Sequence, residues 1–331
     1  MRHEGISRRH FSALLAGLTL PLPGRAFGQT VDGIRRAVRS MNQLHSMLIQ
    51  VGDDVIVAEA PRGAGLDRGA NIKSCSKSIV ALLLGSAIAR GEIKSVKSTL
   101  GEVAPRLIPG KATPGVAALT MEDLVTLRAG LESTSGARYG GWVQSQNWVA
   151  YALRRPMIDV PGGRMIYSTG SSHVLAAAIA TATGKSLLNL ARERLGAPLG
   201  IEVPSWRQDP QGFYFGGNEM VLTPRAMLRL ALLMRDKGRV RGAQVIAPGW
   251  IEASRTPRTQ SPFSGLGYGY GWFLSESGYA IARGYGGQII AAHPGRRLAV
   301  AISSNPNQPA RSQGYFSVLM ELLDGPVLAL G

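Results

Sequence analysis

Ser74-Cys75-Ser76-Lys77-Ser78 stands at the head of an apolar run from Ile79 to Ala89. On a helix, residues three apart share a face one turn apart. Ser74 and Lys77 would then point the same way, at a helix N-terminus with free N–H groups and a positive field. A serine hydroxyl is a weak nucleophile until a base takes its proton. A lysine can be that base when burial or nearby cations lower its pKa. The apolar run would supply the burial. Ser76 has no lysine three positions on. Cys75 points elsewhere on the helix and reads as a small packing residue. Taken alone, the tetrapeptide favours a capping serine with a snorkelling lysine. The rest of the chain changes that balance.

Tyr167 follows a glycine-rich turn, in Ile166-Tyr167-Ser168-Thr169-Gly170. A phenol acts as a general base only when ionised or coupled to a cation, and Lys77 could be that cation. Alone, Tyr167 is a packed loop residue. Ala282-Arg283-Gly284-Tyr285-Gly286-Gly287-Gln288 reads as a glycine-rich strand. Its backbone could approach a substrate closely, and one amide could join that of Ser74 in an oxyanion hole. In a regular strand Arg283 would face the other side of the sheet, so it is not counted as a substrate cation. His173 reads as a helix-face residue near the site. Asn218-Glu219 could border a pocket or form a turn. Trp142 and Trp148 could line a cleft or pack inside.

The elements that must hold these residues are legible in outline. Residues 46–60 read as a hairpin around Gly52-Asp53. The run 79–89 is apolar on nearly every face, which implies a central buried helix. Residues 101–118 are loop-like. Thr120 caps a helix, and residues 141–156 continue as helix. Further helices end at Gly184 and Gly196. Thr223 and Pro224 open another, which stops before Gly238. Strands return at 267–274, 279–293 and 297–305, followed by a helix over about 312–324. The expectation is an α+β fold, its antiparallel sheet built from both chain ends and flanked by helices, with an inserted all-helical subdomain.

The composition bounds the function. With 331 residues, 45% hydrophobic and 18% charged, the chain can build one large core or two fused subdomains. The net charge is +16. No basic run is interleaved with aromatics, so nucleic-acid binding would rest on charge alone. Arg8-Arg9, then Phe11, a short apolar stretch Ala13–Pro23 and small residues to Gly28 match a twin-arginine export signal. The stretch is too short to span a bilayer. Residues 1–28 are therefore expected to be removed, leaving a periplasmic or secreted protein. They carry four arginines and one glutamate, so the remainder has charge +13. Cys75 is the single cysteine, which excludes an internal disulfide. The five histidines lack metal-ligand spacing, and no cofactor or catalytic metal is expected.

Ser74-Cys75-Ser76-Lys77, Tyr167-Ser168-Thr169 and the glycine-rich segment together resemble the serine β-lactamase/penicillin-binding-protein superfamily. The nearest likeness is to class C-like serine hydrolases, which include esterases, D-aminopeptidases and 6-aminohexanoate-oligomer hydrolases. Framing stretches such as "LTMEDLVTLRAGL" and "FGGNEMVLTPRAMLRLALLM" extend the resemblance over about residues 40–325. It implies the β-lactamase/DD-peptidase fold over residues 29–331. The α/β part would cover about 40–75 and 265–331, and the helical part about 76–264. It also implies that Ser74 is acylated while Lys77 and Tyr167 share the base work. Backbone amides of Ser74 and the Gly286-Gly287 region would hold the oxyanion, with Thr169 against the substrate. Two departures stand out. Thr169 occupies the place of the family's Asn. Gly284-Tyr285-Gly286 replaces a K-T-G or H-x-G triplet and lacks its cation. The expected function is therefore hydrolysis of small esters or amides. A β-lactamase or D-amino-acid peptidase, and a non-catalytic envelope-binding protein on the same scaffold, are the alternatives.

Overall fold

A computed structural model describes residues 23–331. Arg8-Arg9 and most of the expected export signal lie outside the described residues. Helix α1, Pro23–Ser40, runs through the expected cut after Gly28. From Gly28 onward its buried residues are Val31, Ile34 and Val38.

Strands β1 (Leu44–Val51) and β2 (Asp54–Glu59) form the expected hairpin. Gly52 turns it at φ +58°, a conformation glycine adopts without a Cβ clash. Three central helices follow: α2 (Ser76–Ala89), α3 (Thr169–Thr183) and α4 (Pro224–Arg235). The chain then lays down β3 (Thr259–Gln260), β4 (Gly267–Tyr268), β5 (Phe273–Leu274), β6 (Ala280–Arg283), β7 (Ile289–His293) and β8 (Leu298–Ser304). Helix α5 spans Tyr315–Leu322. The sheet has the order β2-β1-β8-β7-β6-β5-β4-β3. The first strand thus pairs antiparallel with the last, Leu48 opposite Ala301 and Val51 opposite Leu298. Both chain ends build one sheet, as expected.

The sheet is buried on both faces. Along β8, Leu298, Val300 and Ile302 join one core with α1 and the C-terminal residues Phe316, Leu319 and Leu323. Ala299 and Ala301 face the other core, with α2, α3 and α4. These small residues let α4 lie close against the sheet. Within α2 every residue from Ser76 to Ala87 is buried. Burial of each leucine among Leu82, Leu83 and Leu84 contributes about 1.5–3 kcal/mol.

Several boundaries differ from the sequence reading. The helix expected over 141–156 is two, Tyr139–Val143 and Trp148–Leu153, because the Asn147 side chain caps Ala150 and starts a new one. The helix expected to stop at Gly196 continues to Leu199 and ends at Gly200, φ +61°. Residues 267–274 are a tight hairpin turning at Gly271, φ +78°. Residues 279–293 are likewise two strands, joined by the turn Gly284–Gln288. Helix α4 packs on β1, β7 and β8, although it falls in the stretch read as a separate helical part. Among the described residues, no single helix is long and apolar enough to cross a membrane.

Candidate active site

Ser74 lies in a 3₁₀ turn, Lys73–Cys75, that runs into α2. The helix therefore begins two residues later than the serine, yet the three-residue spacing still aligns Ser74 with Lys77. Lys73 has φ +49°, a conformation that costs a non-glycine residue roughly 1–3 kcal/mol. A local scaffold holds it there. The Asn71 side chain accepts the Lys73 N–H at 2.8 Å. Glu219 accepts from the Asn71 amide at 2.8 Å and from Lys73 Nζ at 3.3 Å. The Ile72 N–H donates to the Met220 carbonyl at 2.9 Å.

Lys77 is 5% exposed. Its Nζ donates to Ser74 Oγ at 3.1 Å, to Thr169 Oγ1 at 3.3 Å and to the Gly217 carbonyl at 2.8 Å. All three acceptors are neutral oxygens. The same Nζ lies 4.9 Å from the centre of the Tyr167 ring. Lys77 thus meets Tyr167 through its π face. Among the described residues the Tyr167 hydroxyl has no hydrogen-bond partner.

The segment Ser133–Ser135 clamps the stretch that carries Tyr167 and Thr169. Ser133 Oγ donates to the Tyr167 carbonyl at 2.6 Å. Thr134 Oγ1 accepts the Gly170 N–H at 2.8 Å. Ser135 Oγ accepts the Thr169 N–H at 2.9 Å and pairs with Thr169 Oγ1 at 3.0 Å. Thr169 thereby connects Ser135 to Lys77.

The glycine-rich segment needs a correction. The Gly286 N–H donates to Gln288 Oε1 at 3.0 Å, and the Gly287 N–H to the Gly284 carbonyl at 3.1 Å. Neither expected amide is free, because both close the turn between β6 and β7. The N–H groups of Tyr285 and Ser74 have no partner among the described residues. The turn lies against the nucleophile segment: a Cβ on Gly284 would stand 2.8 Å from the Ile72 carbonyl oxygen. Tyr285 itself is exposed.

Arg283 faces away from the turn's exposed edge, as strand alternation implies. Its guanidinium sits 3.5 Å from the Phe316 ring centre and donates to Ser312 Oγ and the Ala310 carbonyl, each at 3.0 Å. Burial pushes its pKa down to about 10, and the nearby Tyr167 phenol opposes that shift. Cys75 is buried and its thiol contacts the Gln288 carbonyl; burial raises its pKa far above the reactive range.

Other candidates resolve differently. Trp142 and Trp148 are fully buried and pack around His173 with Phe215, so they line no open cleft. His173 is itself buried and bonds Asp209 at 2.9 Å, away from Ser74. Asn218 donates to the Tyr139 hydroxyl at 2.8 Å. Sequence reasoning missed Ser133–Ser135, Gly217 and the Tyr285 amide. The Gly216-Gly217 pair was the available signal for a close backbone approach.

The comparisons with known proteins agree with this architecture. The Beta-lactamase family model matches residues 45–318. No curated relative matches by sequence. Among solved structures, the chain is similar to EstCE1, a hydrolase with promiscuous acyltransferase activity, at TM-score 0.74 and 15% identity over 92% of this chain and 99% of that one. It is similar to a penicillin-binding protein homologue from Caulobacter crescentus, at TM-score 0.74 and 17% identity over 92% and 97% of the two chains. A protein from Bacillus anthracis, provisionally assigned as a 6-aminohexanoate-dimer hydrolase, matches at TM-score 0.71 and 18% identity over 85% and 78%. At these identities the likeness is one of fold.

Proposed function

The chain belongs to the Beta-lactamase family, and on that premise we propose that it is a serine hydrolase that cleaves small esters or amides through an acyl-enzyme on Ser74. The observation that carries this reading is the 3.1 Å contact between Lys77 Nζ and Ser74 Oγ at the head of a buried helix. In the proposed reaction the Lys77–Tyr167 pair starts one proton short, as amine with phenol or ammonium with phenolate, and takes the Ser74 proton as Oγ attacks the substrate carbonyl. In this proposal the resulting oxyanion accepts hydrogen bonds from the Ser74 and Tyr285 N–H groups, which have no partner among the described residues. The pair returns the proton to the leaving alcohol or amine as the C–O or C–N bond breaks. Water then attacks the Ser74 ester, and the acid departs with Oγ reprotonated.

The preference for esters and simple amides over β-lactams rests on charge. The triplet Gly284-Tyr285-Gly286 offers no cation to a substrate carboxylate, and the neighbouring Arg283 is engaged by Phe316, Ser312 and Ala310. The test is turnover of a p-nitrophenyl ester beside a chromogenic cephalosporin, with Ser74→Ala as control. Faster ester turnover that disappears in the control is expected. Faster cephalosporin turnover would contradict the charge argument, and no turnover of either would favour a binding protein on this scaffold.

We also propose export by the twin-arginine route, on the Arg8-Arg9 signal. A cut after Gly28 would leave the buried residues Val31, Ile34 and Val38 of α1 in the mature chain. Replacing both arginines by lysine should leave the protein in the cytoplasm of an expressing bacterium. Unchanged export would contradict the assignment.

A further inference from the structure

Lys77 has one backbone acceptor, the Gly217 carbonyl, and it is also the shortest of its three hydrogen bonds. What fixes that carbonyl lies behind it. The preceding Gly216 donates its N–H to His173 Nδ1 at 3.3 Å. The proton of the neutral imidazole is therefore on Nε2, which donates to Asp209 Oδ2 at 2.9 Å. The other carboxylate oxygen, Oδ1, accepts the N–H groups of Gln211 and Phe213, each at 2.9 Å. Both side chains are fully buried, at 0% exposure. The ring is boxed by Trp142, Trp148 and Phe215, with centroids 6.0, 5.4 and 5.9 Å away.

A buried carboxylate is costly, and an apolar side chain could fill the same volume more cheaply. An oily residue could not accept the Gly216 N–H. A side chain has no room at Gly216 and only a crowded fit at Gly217. A Cβ on Gly216 would stand 2.2 Å from the Ala176 Cβ, and one on Gly217 would stand 3.2 Å from Lys77 Nζ. The backbone here is pressed between α3 and the lysine, with its direction set by one hydrogen bond at each end.

We propose that Asp209 and His173 are positioning residues for the reaction assigned to Ser74. Asp209 fixes the His173 tautomer, His173 anchors Gly216, and the adjoining Gly217 carbonyl holds Lys77 Nζ against Ser74. The pair touches no substrate. The inference rests on the serine-hydrolase reading for its kinetic consequence but not for its geometry.

Three variants separate positioning from core packing. Asp209→Asn keeps the volume. Its amide either makes His173 Nε2 an acceptor, driving the proton to Nδ1 against the Gly216 N–H, or turns its own donors toward Gln211 and Phe213. His173→Asn keeps an oxygen where Nδ1 stood and can still accept from Gly216. His173→Gln instead keeps a donor toward Asp209 and more of the volume. The rate of Ser74 phosphonylation by a fluorophosphonate, with loss of fluoride, is measured in folded protein as the stand-in for acylation, beside the melting temperature. Positioning predicts a loss in Asp209→Asn on the order of 10²-fold, and faster acylation in His173→Asn than in His173→Gln even where the Gln variant melts higher. Acylation that follows melting temperature, with Gln equal to or faster than Asn, would overturn the proposal. Failure of the wild type to label would sink the hydrolase reading instead. In that case the crystal structure of Asp209→Asn decides: a Gly217 carbonyl displaced beyond 3.5 Å from Lys77 Nζ supports the positioning role, and an unmoved carbonyl refutes it.

Discussion

At Ser74 the direction of the proposed nucleophile is set one residue earlier. Lys73 is held at φ +49° by Asn71 and Glu219, and the chain enters the helix only after that turn. Around it, each proposed role has a separable test. Tyr167→Phe removes a hydroxyl that holds no structural hydrogen bond, so stability should change little while kcat falls by roughly 10²–10⁴-fold, the range of general acid–base catalysis. An unchanged kcat would leave Lys77 as the sole base. Gly217→Ala places a methyl 3.0 Å from Ser172 Cβ and 3.2 Å from Lys77 Nζ. Crowding of that kind costs about 1–3 kcal/mol, and ester turnover should drop more steeply than the melting temperature. The alignment of Ser74 with Lys77 was legible from their three-residue spacing, and its chemical reading only with Tyr167 and the glycine-rich segment beside it. The state of the amides in the glycine-rich segment was not, since nothing in the sequence tells which N–H groups the turn between β6 and β7 will use.

Among the elements, α2 depends on one close approach. A Cβ on Gly85 would stand 2.4 Å from the Trp250 ring. Gly85→Ala would gain helix propensity of about 1 kcal/mol but must displace an indole. A net loss of stability is expected in a denaturant titration; a gain would show that Trp250 yields freely. Glu122 ties the helix Met121–Val125 to the hairpin after β4. Its carboxylate accepts from Tyr270 at 2.7 Å and is paired with Lys97. Burial acts to raise its pKa, but those hydrogen bonds outweigh it and hold the group below the usual carboxylate value. A lowered folded-state pKa stabilises above the unfolded value of about 4.3 and is lost as pH falls through the folded value. The advantage of wild type over Glu122→Gln, about 1–3 kcal/mol for hydrogen bonds to a charge, should therefore be full near neutrality and shrink below about pH 4. A difference independent of pH would contradict the assignment. Caps at Thr120 and Thr223 and the stop at Gly184 were legible from short-range chemistry. The splitting of 267–274 into two strands was not, because both halves carry the same β-rich pattern and one positive-φ glycine makes the turn.

Across the whole molecule, the sheet cannot be completed until β1 meets β8, so the site depends on both ends of the chain. The β6–β7 turn, which carries Tyr285, lies against the chain at Ile72, two residues before Ser74, and it forms only when β6 and β7 pair. The order of strands, helical middle and strands made that architecture legible. It did not reveal that α4 lies on the sheet, since its apolar face would suit either core. The account's central claim is that Ser74 is the acylated residue. Its most direct test is intact-mass analysis of the protein after exposure to a fluorophosphonate, followed by mapping of the modified peptide. One adduct per chain on Ser74, absent from Ser74→Ala and strongly slowed in Lys77→Ala, is the predicted result. An unmodified Ser74 in folded protein, or an adduct that persists in Ser74→Ala, would contradict it.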